Sequence, residues 1–424
     1  MPLHRSSRTG RPARLALAAL LALAATAGGC SRPPGKNLLA GSYRAVLELP
    51  GGRELPFGLD VAREEHGPVL YLLNGEERTR LHEVEAGPGQ LRVRVPGHET
   101  TLVATISGGD LAGSVTLQSG GRPLELPFRA KLGDLWRFER KPLSDNADVA
   151  GRWELRFDGA EGPQARAVAE LSQQFHEVTG TVATAAGTEG PIAGEIRDER
   201  VRLSRFDGGS ALLYEAELDG RGDLRGEAWS DRDGLRRFTA RRNPDADAAA
   251  LVPQTRVRAS GAPLQFSARD LDGRTVAADD PAFAGKALVV SLTSSGSPDA
   301  HDQAPVLVEL DRRYRGRGLA VVALMFEPHA EFPRAVEAVR RFRAAHGVEF
   351  ATLVAGQADA RAAAAALPQL EVLGAYPTTL FVDRGGRVRG VLTGFPGPAA
   401  GVRHDRLVQA YHDAVESLLG PVPD

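Results

Sequence analysis

Between Leu292 and Pro305 the chain reads LTSSGSPDAHDQAP, a run of serines, two aspartates and a histidine set between an apolar strand-like segment and a helix-like one. Many α/β folds put their reactive group at such a junction. Ser297, Pro298 and Asp299 spell a helix start, in which the serine hydroxyl is expected to cap free N–H groups. Pro298 then takes the first helical position and Asp299 faces the positive end of the dipole. The competing chemistry is a Ser297 nucleophile with His301, one turn on, as its base and Asp302 nearby. Adjacent helical residues point about 100° apart, so Asp302 is poorly placed to orient His301. No Gly-x-Ser-x-Gly elbow is present. No catalytic residue is therefore expected here.

Other polar residues are weaker signals. Glu327 ends an apolar run where α/β sheets place ligand-facing groups, with an ordinary loop as the alternative. His301 and His329 could approach one another but lack the fixed spacing of a metal site, and neither metal nor cofactor is expected. The Gly-Asp-Leu-x-Gly and Gly-Gly stretches are turn chemistry rather than phosphate loops, because none lies between a strand and a helix start in the required pattern. The arginine-rich RRYRGRG at 312–318 reads as the solvated end of a helix.

The elements that must hold this junction follow from periodicity. ALVVSL and LAVVALMF are continuous apolar runs, as buried strands require. After the junction Val306, Leu307, Leu310 and Tyr314 recur on one helical face. RAVEAVRRFRAAHG is a helix ending at Gly347, and HDRLVQAYHDAVESLL is again amphipathic. LQFSARDLDGRTV turns at Asp272-Gly273 and TTLFVDRGGRVRGVLTG at Gly385-Gly386, so both are hairpins.

Up to about residue 243 the pattern differs, with short alternating segments such as YRAVLEL, RWELRF and LLYEAEL that suit half-buried strands. A repeat lies within it. Gly41-Ser42-Tyr43 corresponds to Gly151-Arg152-Trp153, Gly109-Asp110-Leu111-Ala112-Gly113 to Gly222-Asp223-Leu224-Arg225-Gly226, and Phe128-Arg129-Ala130-Lys131 to Phe238-Thr239-Ala240-Arg241, at offsets of 110, 113 and 110 residues. The shared order predicts two copies of a small barrel or sandwich. The expected fold is multidomain: a β module at 38–145, a second at 146–243, a linker at 244–258 and an α/β domain at 259–424.

Composition bounds the rest. Charge is almost balanced, with 52 basic and 54 acidic residues in 424 and a net of −2, so no global electrostatic case for nucleic acid exists. The single cysteine, Cys30, excludes an intramolecular disulfide and a Cys-x-x-Cys pair. It follows a basic leader and the apolar LALAALLALAATA, too short to span a bilayer comfortably. Residues 1–29 resemble a lipoprotein signal in which cleavage leaves Cys30 as the lipidated first residue, followed by a linker at 30–37. Ala27 stands where that signal usually has Leu, and a plain secretory signal is the alternative.

Residues 264–420 resemble the TlpA/ResA branch of the thioredoxin-like superfamily through FSARDLDGRTV, GKALVVSL, RGLAVVALMFE, HGVEF and above all YPTTLFVDRGGRV. That resemblance implies a thioredoxin-like fold and a Trp-Cys-Pro-x-Cys helix start, whose first thiolate attacks and whose second sulfur resolves the mixed disulfide. Here Gly296 takes the Trp position, Ser297 the first Cys and Ala300 the second, while Pro298 is retained. A serine hydroxyl cannot form a reversible disulfide and alanine has no heteroatom, so thiol redox chemistry by this chain alone is not expected. The resemblance also makes Pro377, preceded by Tyr376, the cis-proline that faces the redox pair and lends hydrogen bonds to an extended substrate. Ser297, Pro298, Tyr376 and Pro377 are accordingly a candidate peptide groove. The implied role is a redox-inactive binding or scaffolding protein of the cell envelope, lipid-anchored on the periplasmic side of the outer membrane, with an envelope protein or peptide as partner. The alternatives are a thiol-disulfide oxidoreductase whose cysteines come from a partner, and a plain envelope spacer.

Overall fold

The computed structural model describes residues 37–81, 83–119, 122–140, 146–258 and 263–420. Cys30 and the leader lie outside the described residues, as do positions 141–145 and 259–262. No helix among the described residues is long and apolar enough to cross a membrane.

The first 100 residues or so of the described chain form one nine-stranded antiparallel sheet from Gly41–Leu49 to Arg122–Leu132, in which those two strands pair at the centre. Alternation drives the folding of the sheet. In Gln90–Arg94 and Thr101–Ser107 every second residue is buried, and Leu91, Val93, Leu102, Ala104 and Ile106 all join one core. That core is completed from outside the sheet by Phe206, Leu213 and Trp229.

Those three residues belong to a closed eight-stranded barrel, Gly151–Phe157 through Gly234–Arg242, sealed by pairing of its first and last strands. Its interior is filled by side chains such as Trp153, Ile192, Tyr214 and Phe238. The space left inside is about 30 Å³, roughly one water's share of liquid volume, so the barrel is a packed core and not a ligand cup.

Residues at the ends of the noted correspondence behave alike. The Tyr43 hydroxyl donates to the carbonyl of Leu39 at 2.8 Å, and the Trp153 indole N–H to that of Val149 at 2.9 Å. Gly113 and Gly226 both sit where a Cβ would lie 2.0 Å from a neighbouring strand's carbonyl oxygen. No larger residue fits either place.

Residues 244–258, expected to be a linker, are packed instead. Ala246, Ala248 and Leu251 close over Val168 and Ala183 on the barrel surface. Beyond them lies a seven-stranded mixed sheet, ordered Thr275–Ala277, Ser267–Arg269, Ala351–Gln357, Leu319–Glu327, Ala287–Thr293, Thr378–Val382, Val388–Thr393. Its central three strands are parallel. Val289, Val321 and Met325 point to one face and Val290, Val322 and Leu324 to the other, so both faces are buried and the strands read as unbroken apolar runs. Helices α1 (Pro298–Tyr314), α2 (Phe332–His346) and α4 (Val402–Leu419) cover the first face, and α3 (Ala360–Ala366) the second.

The Asp272-Gly273 and Gly385-Gly386 hairpins form as expected, and α2 ends at Gly347 with φ of 63°. A fully buried network ties α1 to the sheet and to α4. Gln303 accepts from the Ser291 hydroxyl at 2.8 Å and donates to Thr379 at 2.9 Å and Tyr411 at 2.7 Å. The described residues form a single compact unit.

Candidate functional site

Ser297 is the N-cap residue of α1, extended at φ −94° and ψ 124°, with Pro298 at the first helical position. Its hydroxyl makes no capping hydrogen bond, contrary to expectation, and lies 3.5 Å from the carbonyl oxygen of Tyr376. The Tyr376–Pro377 peptide is cis. The strand Thr378–Val382 thus brings Tyr376 and Pro377 against the start of α1, and Ala300 lies one turn deeper, 1% exposed. The four residues of the candidate groove therefore converge.

Asp299 does not face solvent at the helix end. It is buried against the barrel, accepting from the N–H of Thr188 at 3.4 Å, and a Cβ on Gly187 would lie 2.6 Å from its carboxyl. Burial, and then the neighbouring Asp302, hold its pKa well above the ordinary carboxylate range. Asp302 itself is pushed up to about 6 by burial, against the pull of Arg205.

Below the groove Glu327 ends its strand fully buried and accepts from both the N–H and the hydroxyl of Ser295. Burial raises its pKa, opposed by those two bonds. Its part is to hold the loop before α1. His301 does not serve Ser297. One ring nitrogen meets the Ser295 carbonyl at 2.9 Å and the other His346 at 2.8 Å, so the nucleophile arrangement is absent. Nor does it meet His329, which lies 3.4 Å from Glu99.

Ser297 and Tyr376 line a groove of about 480 Å³, whose floor is the loop 294–297 and Tyr376, while Pro298, His301, Glu327 and Pro377 lie behind its wall. Its roof comes from other parts of the chain, with His98 and Glu99 from the first sheet and Arg232 from a barrel hairpin. Arg232 donates to the Gly296 carbonyl at 3.0 Å. Glu99 is held by Arg341 and, at 3.8 Å, by Arg334. Within the lining, Arg341 Nε, Tyr376 Oη and Gln118 Oε1 are buried without a hydrogen-bond partner among the described residues. Buried orphans of this kind are uncommon. A larger hollow of about 730 Å³ between Arg156, Arg166 and Leu251 contains none of the residues singled out by the sequence.

His98, Glu99, Arg232, Arg341 and His346 carried no signal in the sequence. They come from three separate regions, and no spacing rule links them.

Residues 260–391 match the AhpC/TSA family. The C-terminal region is thus a thioredoxin-like redoxin domain, and the strand-rich region before it lies outside that match. No curated protein matches the chain. Among solved structures, the chain is similar to a putative thiol:disulfide interchange protein DsbE from Chlorobium tepidum, at 18% identity over 40% of this chain and 99% of that one, with a TM-score of 0.29. It is also similar to a secreted Mycobacterium tuberculosis disulfide oxidoreductase homologous to E. coli DsbE, at 19% identity over 36% and 96%, TM-score 0.27.

Proposed function

We propose that this chain is an exported envelope protein, lipid-anchored through Cys30, whose redoxin domain has lost thiol chemistry and serves as a binding element. Its occupant is an extended peptide segment of a partner protein, held between the Ser297 helix start and the Tyr376–Pro377 loop. The β region before it consists of two copies of one module, spanning 38–145 and 146–243, that roof the groove. One observation carries this reading. The groove persists around Ser297, and its lining carries Arg341 Nε, Tyr376 Oη and Gln118 Oε1, which have no hydrogen-bond partner among the described residues. A peptide backbone supplies both carbonyls and N–H groups along one line.

A photo-crosslinking amino acid at Ser297, introduced in the native envelope, tests it. Adducts are expected from Ser297 and not from Phe175, which is 82% exposed on the barrel. Equal adduct patterns from the two positions would count against the groove. Fatty-acid labelling that is lost in Cys30→Ala is expected for the anchor, and undiminished labelling would leave only a secretory signal.

A further inference from the structure

Three histidines from three segments meet beside the groove. His98, at the tip of the loop 95–100, stacks on His301 of α1 with ring centroids 4.3 Å apart and planes 24° apart. His301 in turn hydrogen-bonds to His346, the last residue of α2, at 2.8 Å, and Phe342 closes the edge at 5.1 Å. The fit is tight on the loop side. A Cβ on Gly97 would lie 2.9 Å from the His301 ring, and one on Gly209 would lie 2.4 Å from the His98 ring.

We propose that this histidine stack is a proton-operated clasp that holds the loop 95–100 down as a movable roof of the groove and releases it under mild acid. Gly97, His98, Glu99 and Thr100 all line the groove, so lifting this loop opens it. The stack needs neutral rings, because three imidazolium ions at these distances repel and lose the ring-to-ring hydrogen bond.

The charges around the stack do not supply a counter-ion to each ring. From the loop 207–210 Asp207 faces it, already engaged by Arg205 at 2.8 Å. Arg232 adds positive potential from the hairpin, while Glu99 on the loop itself is taken up by Arg341, Arg334 and His329. Burial, followed by the charge of the neighbouring His301, pushes both His98 and His346 down to about 3, and burial lowers His301. Groups depressed in the closed state stabilise it fully above their ordinary value of about 6.5 and cease to do so as pH falls. Once the loop lifts, His346 stands at the C-terminal end of α2, where a cation is favoured.

Thiol labelling in the full-length chain tests the clasp. With Cys30→Ser as background, Ala338→Cys places a thiol on the buried groove wall, and Glu337→Cys one on the exposed face of the same helix. The ratio of their labelling rates by a small maleimide cancels the effect of pH on the reagent. Between pH 7.5 and 5.5 that ratio is expected to rise at least about ten-fold, the factor a single histidine supplies when its closed-state value is about 3 and its open-state value about 6.5. In backgrounds with His98→Phe or His346→Gln, which cannot charge, the rise is expected to shrink by about that factor. A ratio that does not change with pH, or the same rise in both backgrounds, overturns the proposal. Imidazole NMR of the unsubstituted chain reads the event independently of any variant. His98 and His346 are expected to titrate together, at the pH where labelling rises, and separate titrations near 6.5 without a change in labelling also overturn it.

Discussion

Asp299 of α1 and Thr188 of the barrel are joined by a hydrogen bond of 3.4 Å from the Thr188 N–H to the Asp299 carboxyl. The first turn of the helix that carries Ser297 is therefore seated on the barrel rather than open to solvent. The groove exists only because the redoxin domain and the β region are docked in this way.

The docking surface carries carboxyls that burial has shifted upward. Burial pushes Asp302 up to about 6, and Glu77, on the first sheet beside Arg205, up to about 7. A group raised in the folded state contributes fully below its ordinary value and loses that contribution as pH rises through its folded value. Comparing the wild type with Glu77→Gln cancels the histidines, which both chains share. Between pH 6 and 8 the denaturant midpoint of the wild type is expected to fall relative to that of Glu77→Gln. A midpoint difference that stays flat or climbs with pH in this window would contradict the assignment.

Tyr43 and Trp153 make the same bond, each to the carbonyl four residues upstream. Tyr43→Phe removes one hydrogen bond and is expected to cost about 1 kcal/mol. Trp153→Phe also leaves a small cavity in a filled barrel, and roughly 2–3 kcal/mol is expected. Urea unfolding at constant m-value reads both. Module equivalence further requires Gly113→Ala and Gly226→Ala to fail alike, since each Cβ would strike a strand carbonyl at 2.0 Å.

Local chemistry was legible and tertiary chemistry was not. Ser-Pro-Asp, Asp272-Gly273 and Gly385-Gly386 announce a helix start and two hairpins because a few adjacent residues decide them. The cis geometry at Pro377 was reached only through resemblance. Helix α3, ARAAAAA, went unread because alanine on every side shows no period, and its core-facing residues are simply Ala363 and Ala366. Asp299 was read as facing the positive end of the helix dipole, and nothing near it in the sequence signals burial. The barrel hairpin that buries it comes from over 100 residues earlier. The histidine stack likewise joins positions 98, 301 and 346, which only packing brings together.

Gln303 is 1% exposed and satisfies groups on two strands and α4 at once. Replacing it by Leu strands the Ser291 hydroxyl and removes donors from Thr379 and Tyr411, so a loss of about 2–4 kcal/mol is expected. Tyr411→Phe keeps the ring in its aromatic cluster and is expected to cost about 1–2 kcal/mol. The double variant should be less damaging than the sum, because the two residues share a bond. Strict additivity in a thermal or urea cycle would show that the network is not coupled.

Ser297 and Ala300 can be converted to the pair they replace. Ser297 stands at the N-cap position of α1, and the Ala300 N–H reaches its carbonyl at 3.1 Å, a one-turn separation compatible with a disulfide. A thiolate at position 297 would lie at the positive end of α1 and be more acidic than a free cysteine. In a Cys30→Ser background, Ser297→Cys/Ala300→Cys is expected to oxidise to an intramolecular disulfide, read as a loss of about 2 Da by mass spectrometry and reversed by dithiothreitol. The wild type is expected to show no insulin reduction above buffer, because no sulfur stands at either position. The restored pair should exchange readily with small thiols and slowly with insulin, since Arg232 and the loop 95–100 cover the approach to position 297. Insulin reduction by the purified wild type would mean that thiol chemistry reaches this domain by another route, and the binding role proposed for the groove would then have to yield to it.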